Sequence, residues 1–301
     1  MRVGQFEMTE PLPELNSPRL LATLQPWVDV GSVGTLTIAY LEELWHGKEL
    51  GRLARPGYFF DFTRYRPLVG IREGRQRHVS LPNTVVQHVH RNGEDWLFLH
   101  GLEPHANGEE YVESLVELME TLKVSEYLVI GSMYGPVPHS RPIVPVGGAP
   151  DGDLSERLQS LGVRVSNYEG PTSIVSMAAE LAEAKGIRTG IVLMQLPAYA
   201  QLEQDTRGQH AALDLLRRLY DWGDLDLESI RLQGERQYSA IDETAQQDPR
   251  LRKWLQELET VYDAELANGS GETSSEALQL SEETERFLKE IESRWEHPEG
   301  E

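Results

Sequence analysis

The chain of 301 residues contains no cysteine. That absence removes thiol nucleophiles, thiolate metal ligands, disulfides and thioredoxin-like redox motifs, since each needs a sulfur that is not there. Long apolar runs are also missing, none approaching the roughly 20 residues that a membrane-spanning helix requires. The start, MRVGQFEMTEPLPEL, lacks the apolar stretch of a secretion signal, so a cytoplasmic protein is expected. Basic residues are scarce: 28 Lys and Arg stand against 49 Asp and Glu, for a net charge of −21. The imbalance is concentrated at one end, where residues 221–301 hold 22 acidic and 8 basic side chains. Phosphate backbones and anionic lipid heads require clustered Lys and Arg, so nucleic acid and membrane are not expected partners.

With 39% hydrophobic residues and only 17 prolines, the chain can build one large or two modest cores. Arg19 to Val30 is an apolar run ending at Gly31, and Val33 to Trp45 then shows helical spacing through Leu36, Ala39, Tyr40 and Leu44, which predicts strand, glycine turn and helix. Thr84 to His90 and Trp96 to His100 flank Arg91-Asn92-Gly93-Glu94-Asp95, whose Asn-Gly centre predicts a hairpin. Val112, Leu115, Val116 and Met119 paint one face of a helix over Glu109 to Leu122, followed by a buried strand at Tyr127 to Ile130. Gly131 to Asp153 is too broken by glycine and proline for a helix and too apolar for a linker, and reads as an ordered loop. A third unit has strand at Val163 to Tyr168, helix at Thr172 to Lys185, Gly186 as its stop and strand at Ile187 to Leu193. Beyond Gln209 the patterns are helical only.

This order predicts an α/β fold: a three-layer core with a mostly parallel or mixed central sheet and a helical C-terminal part. The expected division is a core domain over 1–222, a helical part over 223–266, and an acidic tail over 267–301. In that tail ANGSGETSSEALQLS forms a flexible connector to a last helix at Glu282 to Trp295.

Candidate chemistry is sparse. Gly31, Ser32 and Gly34 lie between strand and helix, where backbone N–H groups can hold an anion. The turn lacks the Lys-Ser/Thr of a P-loop and the third glycine of a dinucleotide fingerprint, and it reads first as a tight turn letting the helix approach the strand. His88, His90 and His100 share a hairpin, but there is no HExxH, and Glu103 and His105 flank a proline. They read as surface or hydrogen-bonded histidines, with no metal and no cofactor expected. No GxSxG elbow is present. Two segments are dense in turn and polar residues, Pro138-His139-Ser140-Arg141-Pro142 and Tyr168-Glu169-Gly170-Pro171-Thr172. Each follows an expected strand, where open α/β sheets place their crevices. His139 offers a near-neutral proton donor, Arg141 an anion clamp and Glu169 a carboxylate. The expectation ahead of that chemistry is architectural: Arg141 and Glu169 pair to pin the two loops, or both loops serve a subunit interface.

These segments resemble the bacterial branch of the proteasome assembly chaperone 2 family, whose VPHTRP-like, YxGPTGI-like and PHYV-like stretches recur here as Val137 to Pro142 (VPHSRP), Tyr168 to Ile174 (YEGPTSI) and Pro197-Ala198-Tyr199-Ala200. Supporting matches are Gly101-Leu102-Glu103-Pro104, Tyr58 to Phe62 with Arg66-Pro67, and Leu258-Glu259 to Asp263. Together they cover roughly Leu20 to Asp263. Ser173 stands in place of the family's glycine, and Ala198 in place of its histidine.

The resemblance implies a nucleoside-phosphorylase-like α/β domain, a helical C-terminal part and homo-oligomers. The function it implies is non-enzymatic protein binding or assembly, with the chain itself and a protein partner as ligands. Bacterial members also carry an ATP-grasp or carboxylate–amine-ligase label. The competing expectation is therefore a ligase or hydrolase with a crevice between the Pro138–Pro142 and Tyr168–Thr172 loops, the residues concerned being Glu103, His139, Arg141, Tyr168, Glu169, Gly170, Thr172 and Tyr199. The sequence ends in HPEGE, without the hydrophobic-tyrosine-X tail by which several family chaperones engage the proteasome, so docking of that kind is not expected.

Overall fold

In β3 (Arg19–Gln25), Leu20, Ala22 and Leu24 join one buried cluster while Leu21 joins another on the opposite side of the sheet. This period-two alternation, apolar in both directions, belongs to a strand covered on both faces. The computed structural model describes residues 1–71, 77–150, 152–166, 168–223 and 225–267. Its centre is four parallel strands in the order β8 (Glu94–Leu102), β3, β9 (Glu126–Gly135), β12 (Arg188–Pro197). Helices α2 (Gly108–Thr121) and α4 (Ile174–Ala184) pack on the first cluster. Helices α1 (Val33–Trp45), α3 (Asp153–Ser160) and α5 (Thr206–Leu219) pack on the second.

The sheet grows outward to ten strands by mostly antiparallel additions. On one side stand β7 (Val85–Arg91), β4 (Lys48–Leu53), β2 (Phe6–Met8) and β1 (Arg2–Val3), and on the other β10 (Pro145–Gly148) and β11 (Arg164–Val165). The β7–β8 hairpin turns on Asn92 and Gly93, both at positive φ (52° and 81°), the conformation that selects an Asn-Gly pair. A separate antiparallel ribbon, β5 (Leu68–Ile71) with β6 (Arg77–Ser80), stands outside the large sheet, and all of its residues are exposed.

After α5 come α6 (Glu228–Gln247) and α7 (Pro249–Ala267). Leu225, Leu227 and Ile230 enter the second core cluster. Gly234 of α6 lies so close to α5 that a Cβ there would meet the Arg207 backbone nitrogen at 2.8 Å. The connector and helix expected beyond Ala267 lie outside the described residues.

The α/β class, the mixed sheet and the helices on both faces agree with the sequence reading, and several boundaries move. The strand expected to reach Val30 stops at Gln25, and Val30–Ser32 is a short 3₁₀ turn. The loop expected from Gly131 instead continues β9 to Gly135 and contains β10. Gly131 breaks nothing: a Cβ there would strike the Val28 carbonyl at 2.0 Å, so the glycine admits a crossing segment rather than ending a strand. The strand expected over Val163 to Tyr168 shrinks to Arg164–Val165.

Candidate functional site

The segment Val137–Pro142 follows β9 and has prolines at 138 and 142, so it cannot satisfy its backbone through regular structure. Other elements do so instead. Arg207, in the first turn of α5, donates from Nη1 to the His139 carbonyl (2.8 Å) and from Nη2 to the Arg141 carbonyl (3.1 Å). Tyr262 of α7 donates its hydroxyl to the Pro142 carbonyl at 2.8 Å. The His139 backbone N–H donates to the Tyr199 hydroxyl oxygen at 2.7 Å.

Side chains add a second set of ties. Arg141 forms a two-pronged pair with Asp263, Nε to Oδ1 at 2.8 Å and Nη2 to Oδ2 at 2.7 Å, and its Nη1 lies 3.3 Å from Glu259. Ser140 Oγ donates to Glu259. Glu259, Tyr262 and Asp263 are spaced three and four apart, which puts all three on one face of α7 against this segment. The Arg141 guanidinium is held further above its already high range by the Asp263 hydrogen bond, and Asp263 is lowered by the same contact.

His139 is 2% exposed. The Tyr199 hydroxyl oxygen also lies 2.6 Å from His139 Nδ1, so it bonds both the backbone and the ring. The ring's Nε2 is buried without a hydrogen bond and faces Asp242 Oδ1 of α6 at 3.5 Å. Burial lowers the His139 pKa, with Asp242 opposing, and burial raises that of the Tyr199 hydroxyl. Behind Arg207, which stacks 4.5 Å over the Tyr238 ring, the Tyr238 hydroxyl donates to Asp205 Oδ2 at 2.8 Å. Asp205 Oδ1 caps α5 through the Gly208 N–H at 2.7 Å.

These ties frame an open cleft of about 1380 Å³ between the 139–145 segment and α5, α6 and α7. Its lining mixes apolar side chains, among them Pro142, Ile143 and Leu215, with four arginines and four carboxylates. None of Tyr168, Glu169, Gly170 and Thr172 lines it.

The remaining candidate residues lie elsewhere. The expected Arg141–Glu169 pair does not form, because α7 supplies both carboxylates that Arg141 meets. Tyr168, Glu169, Gly170 and Thr172 sit in an exposed loop before α4, with the Tyr168 ring folded over Gly170. Ser173, where the family has glycine, is the N-cap of α4 and accepts from the Ser176 N–H. Glu103 follows β8, its N–H donating to the Gln25 carbonyl at 2.8 Å. Burial raises its carboxyl pKa, with the Ile174 N–H opposing. At the glycine turn, Asp29 accepts from the Gly34 N–H (2.6 Å), the Thr35 N–H (3.3 Å) and the Thr35 hydroxyl (2.6 Å), so a carboxylate of the chain itself sits at the start of α1. Ser32 Oγ donates to the Glu203 carbonyl. His88 and His90 both bond Asp95, and His100 bonds Glu42. No group of three such side chains is arranged to hold a metal ion among the described residues.

Chemically, the cluster can brace helices and present a groove. Ser140 faces Glu259 rather than His139, so this serine is not offered to the imidazole as a nucleophile. Sequence reasoning missed Arg207, Asp242 and Tyr238. It noted Glu259 to Asp263 but not that they close on Arg141.

The α/β fold recurs in solved structures. Residues 23–245 match the model of the PAC2 family, and the chain belongs to that family. A protein of unknown function from Corynebacterium glutamicum is 21% identical with a TM-score of 0.76, over 88% of this chain and 99% of that one. A PAC2 family protein from Streptomyces avermitilis is 25% identical with a TM-score of 0.69, over 79% and 99%. A proteasome-assembly chaperone homologue from Mycobacterium tuberculosis is 21% identical with a TM-score of 0.69, over 78% and 99%. No curated protein matches the chain. No helix among the described residues is long and apolar enough to cross a membrane.

Proposed function

We propose that the protein is a non-enzymatic binding and assembly factor that works as a homo-oligomer and holds protein surfaces in its helical cleft. The observation that carries this reading is the use made of Val137–Pro142. Its arginine, its serine and its carbonyls all engage α5 and α7, and the cleft so framed is wide and open. Catalytic pockets instead converge a few polar groups on one reacting atom. Family membership, and a similar fold in a protein described as a proteasome-assembly chaperone homologue, support the same reading.

The ligase or hydrolase reading needed the Tyr168–Thr172 loop across a crevice from Arg141, and that loop does not line the cleft. Multi-angle light scattering of the full chain tests the proposal. The expected mass is a multiple of the 34.0 kDa chain. A monomer at every concentration, together with a melting temperature raised by nucleotide, contradicts it.

A further inference from the structure

Four arginines line the cleft, and the chain's own groups engage each of them. Arg218 meets Asp214 at 3.1 Å, and Arg231 pairs with Glu228 and Glu235. Arg207 spends both terminal nitrogens on the His139 and Arg141 carbonyls and lies over the Tyr238 ring, and Arg164 lies over the Tyr262 ring at 5.8 Å. Of the four carboxylates in the lining, Asp214 and Glu235 are taken up by these pairs. Asp242 and Glu243, neighbours on α6, meet no lysine or arginine in ion-pair contact among the described residues, and Asp242 Oδ2 accepts from the Gln246 amide at 2.7 Å.

A second observation comes from His139. Its side chain is 2% exposed and lines the same cleft, and its Nε2 has no hydrogen bond while facing Asp242 Oδ1 at 3.5 Å. A buried polar atom left without a partner costs stability, so its retention beside a carboxylate without a cation marks a place for a donor. One nitrogen about 2.8 Å from each atom spans a gap of this width. Burial holds the imidazole below its ordinary pKa, against Asp242, so it stands neutral and can accept. With Nε2 accepting, the ring proton lies on Nδ1 and is donated to the Tyr199 hydroxyl oxygen.

We infer that the His139–Asp242 corner of the cleft is the seat for a lysine ammonium of the bound protein, held between Nε2 and Oδ1, with Glu243 adding negative charge. The inference rests on the reading that the cleft holds protein surfaces, and it names what such a surface carries. An ammonium suits the corner better than a guanidinium. Gln246 occupies Oδ2 and so closes the two-oxygen fork that arginine uses, whereas a single nitrogen with three donors needs only Oδ1 and the imidazole. The lysine stem has Ile143 and Leu215 of the lining to lie along.

Fluorescence anisotropy of labelled hexalysine with the full chain tests it, the same peptide acetylated on every side chain serving as the uncharged probe. Hexalysine should bind and the acetylated peptide should not. Asp242→Asn keeps an oxygen for Gln246 and should weaken binding about tenfold with unchanged melting. Glu243→Gln alters an exposed side chain and should weaken binding about threefold, which carries the test if Asp242→Asn fails to fold. Glu117→Gln, exposed on α2 and outside the cleft lining, should change nothing. Equal losses for Glu117→Gln and Asp242→Asn overturn the seat, because the peptide then answers only the net charge of −21. Wild-type affinity in Asp242→Asn and Glu243→Gln, or equal binding of the acetylated peptide, also overturns it. A wild-type chain that scatters as an oligomer but binds no hexalysine overturns the seat and leaves the assembly reading in place. A monomer at every concentration that nucleotide stabilises removes both.

Discussion

The Tyr199 hydroxyl ties both the backbone and the ring of His139, lying 2.7 Å from the backbone nitrogen and 2.6 Å from Nδ1. One phenol thus fixes the position of a buried imidazole, and Trp254 packs edge-on against the Tyr199 ring at 4.6 Å. Tyr199→Phe keeps the ring packing and removes only the oxygen. It leaves two buried polar groups of His139 unsatisfied, and a loss of about 1–3 kcal/mol in unfolding free energy is expected by denaturant titration.

Asp29 gives the fold a pH dependence of known sign. Burial pushes its carboxyl up to about 6, against the hydrogen bonds from Thr35 and Gly34. A carboxyl with a raised folded pKa binds its proton more tightly when folded, so its contribution is complete below about pH 4 and is lost as the pH rises through 6. Wild type should therefore lose roughly 2–3 kcal/mol relative to Asp29→Asn between pH 4 and pH 7. Parallel stability profiles of the two proteins would refute this assignment.

Gly34 tests the tight-turn reading of the Gly31–Gly34 segment. A Cβ there would lie 2.3 Å from Thr23 Oγ1 and 2.5 Å from the Ile130 carbonyl, neither of them a flexible side-chain end. Gly34→Ala should destabilise by about 1–3 kcal/mol through overpacking, read by thermal melting.

The parallel centre was legible in the sequence because strands buried on both faces leave continuous apolar runs, as at Tyr127 to Ile130, and the antiparallel β7–β8 pair because Asn92-Gly93 demands a hairpin. The short edge strands were not. β1 has two residues, and β4 reads KELGRL, whose lysine, glutamate and arginine match no buried pattern. Glycine misled at 131, where it marks a backbone crossing rather than a break. At the candidate site the motifs around His139 and Glu259 were both visible, but nothing in a linear sequence joins residues about 120 positions apart. Glu169 drew attention by its loop, while the carboxylates that meet Arg141 lie on a helix whose i, i+4 spacing of Glu259 and Asp263 was there to be read.

The most direct test of the account is Arg141→Ala, with melting temperature and scattering mass measured on the same sample. The guanidinium pairs with Asp263 and Glu259 and so holds α7 against the loop that frames the cleft. The account predicts a lower melting temperature or an altered oligomer mass. Folded mutant protein with unchanged melting and mass, which has lost a nucleotide or carboxylate ligand that the wild type binds, would contradict it.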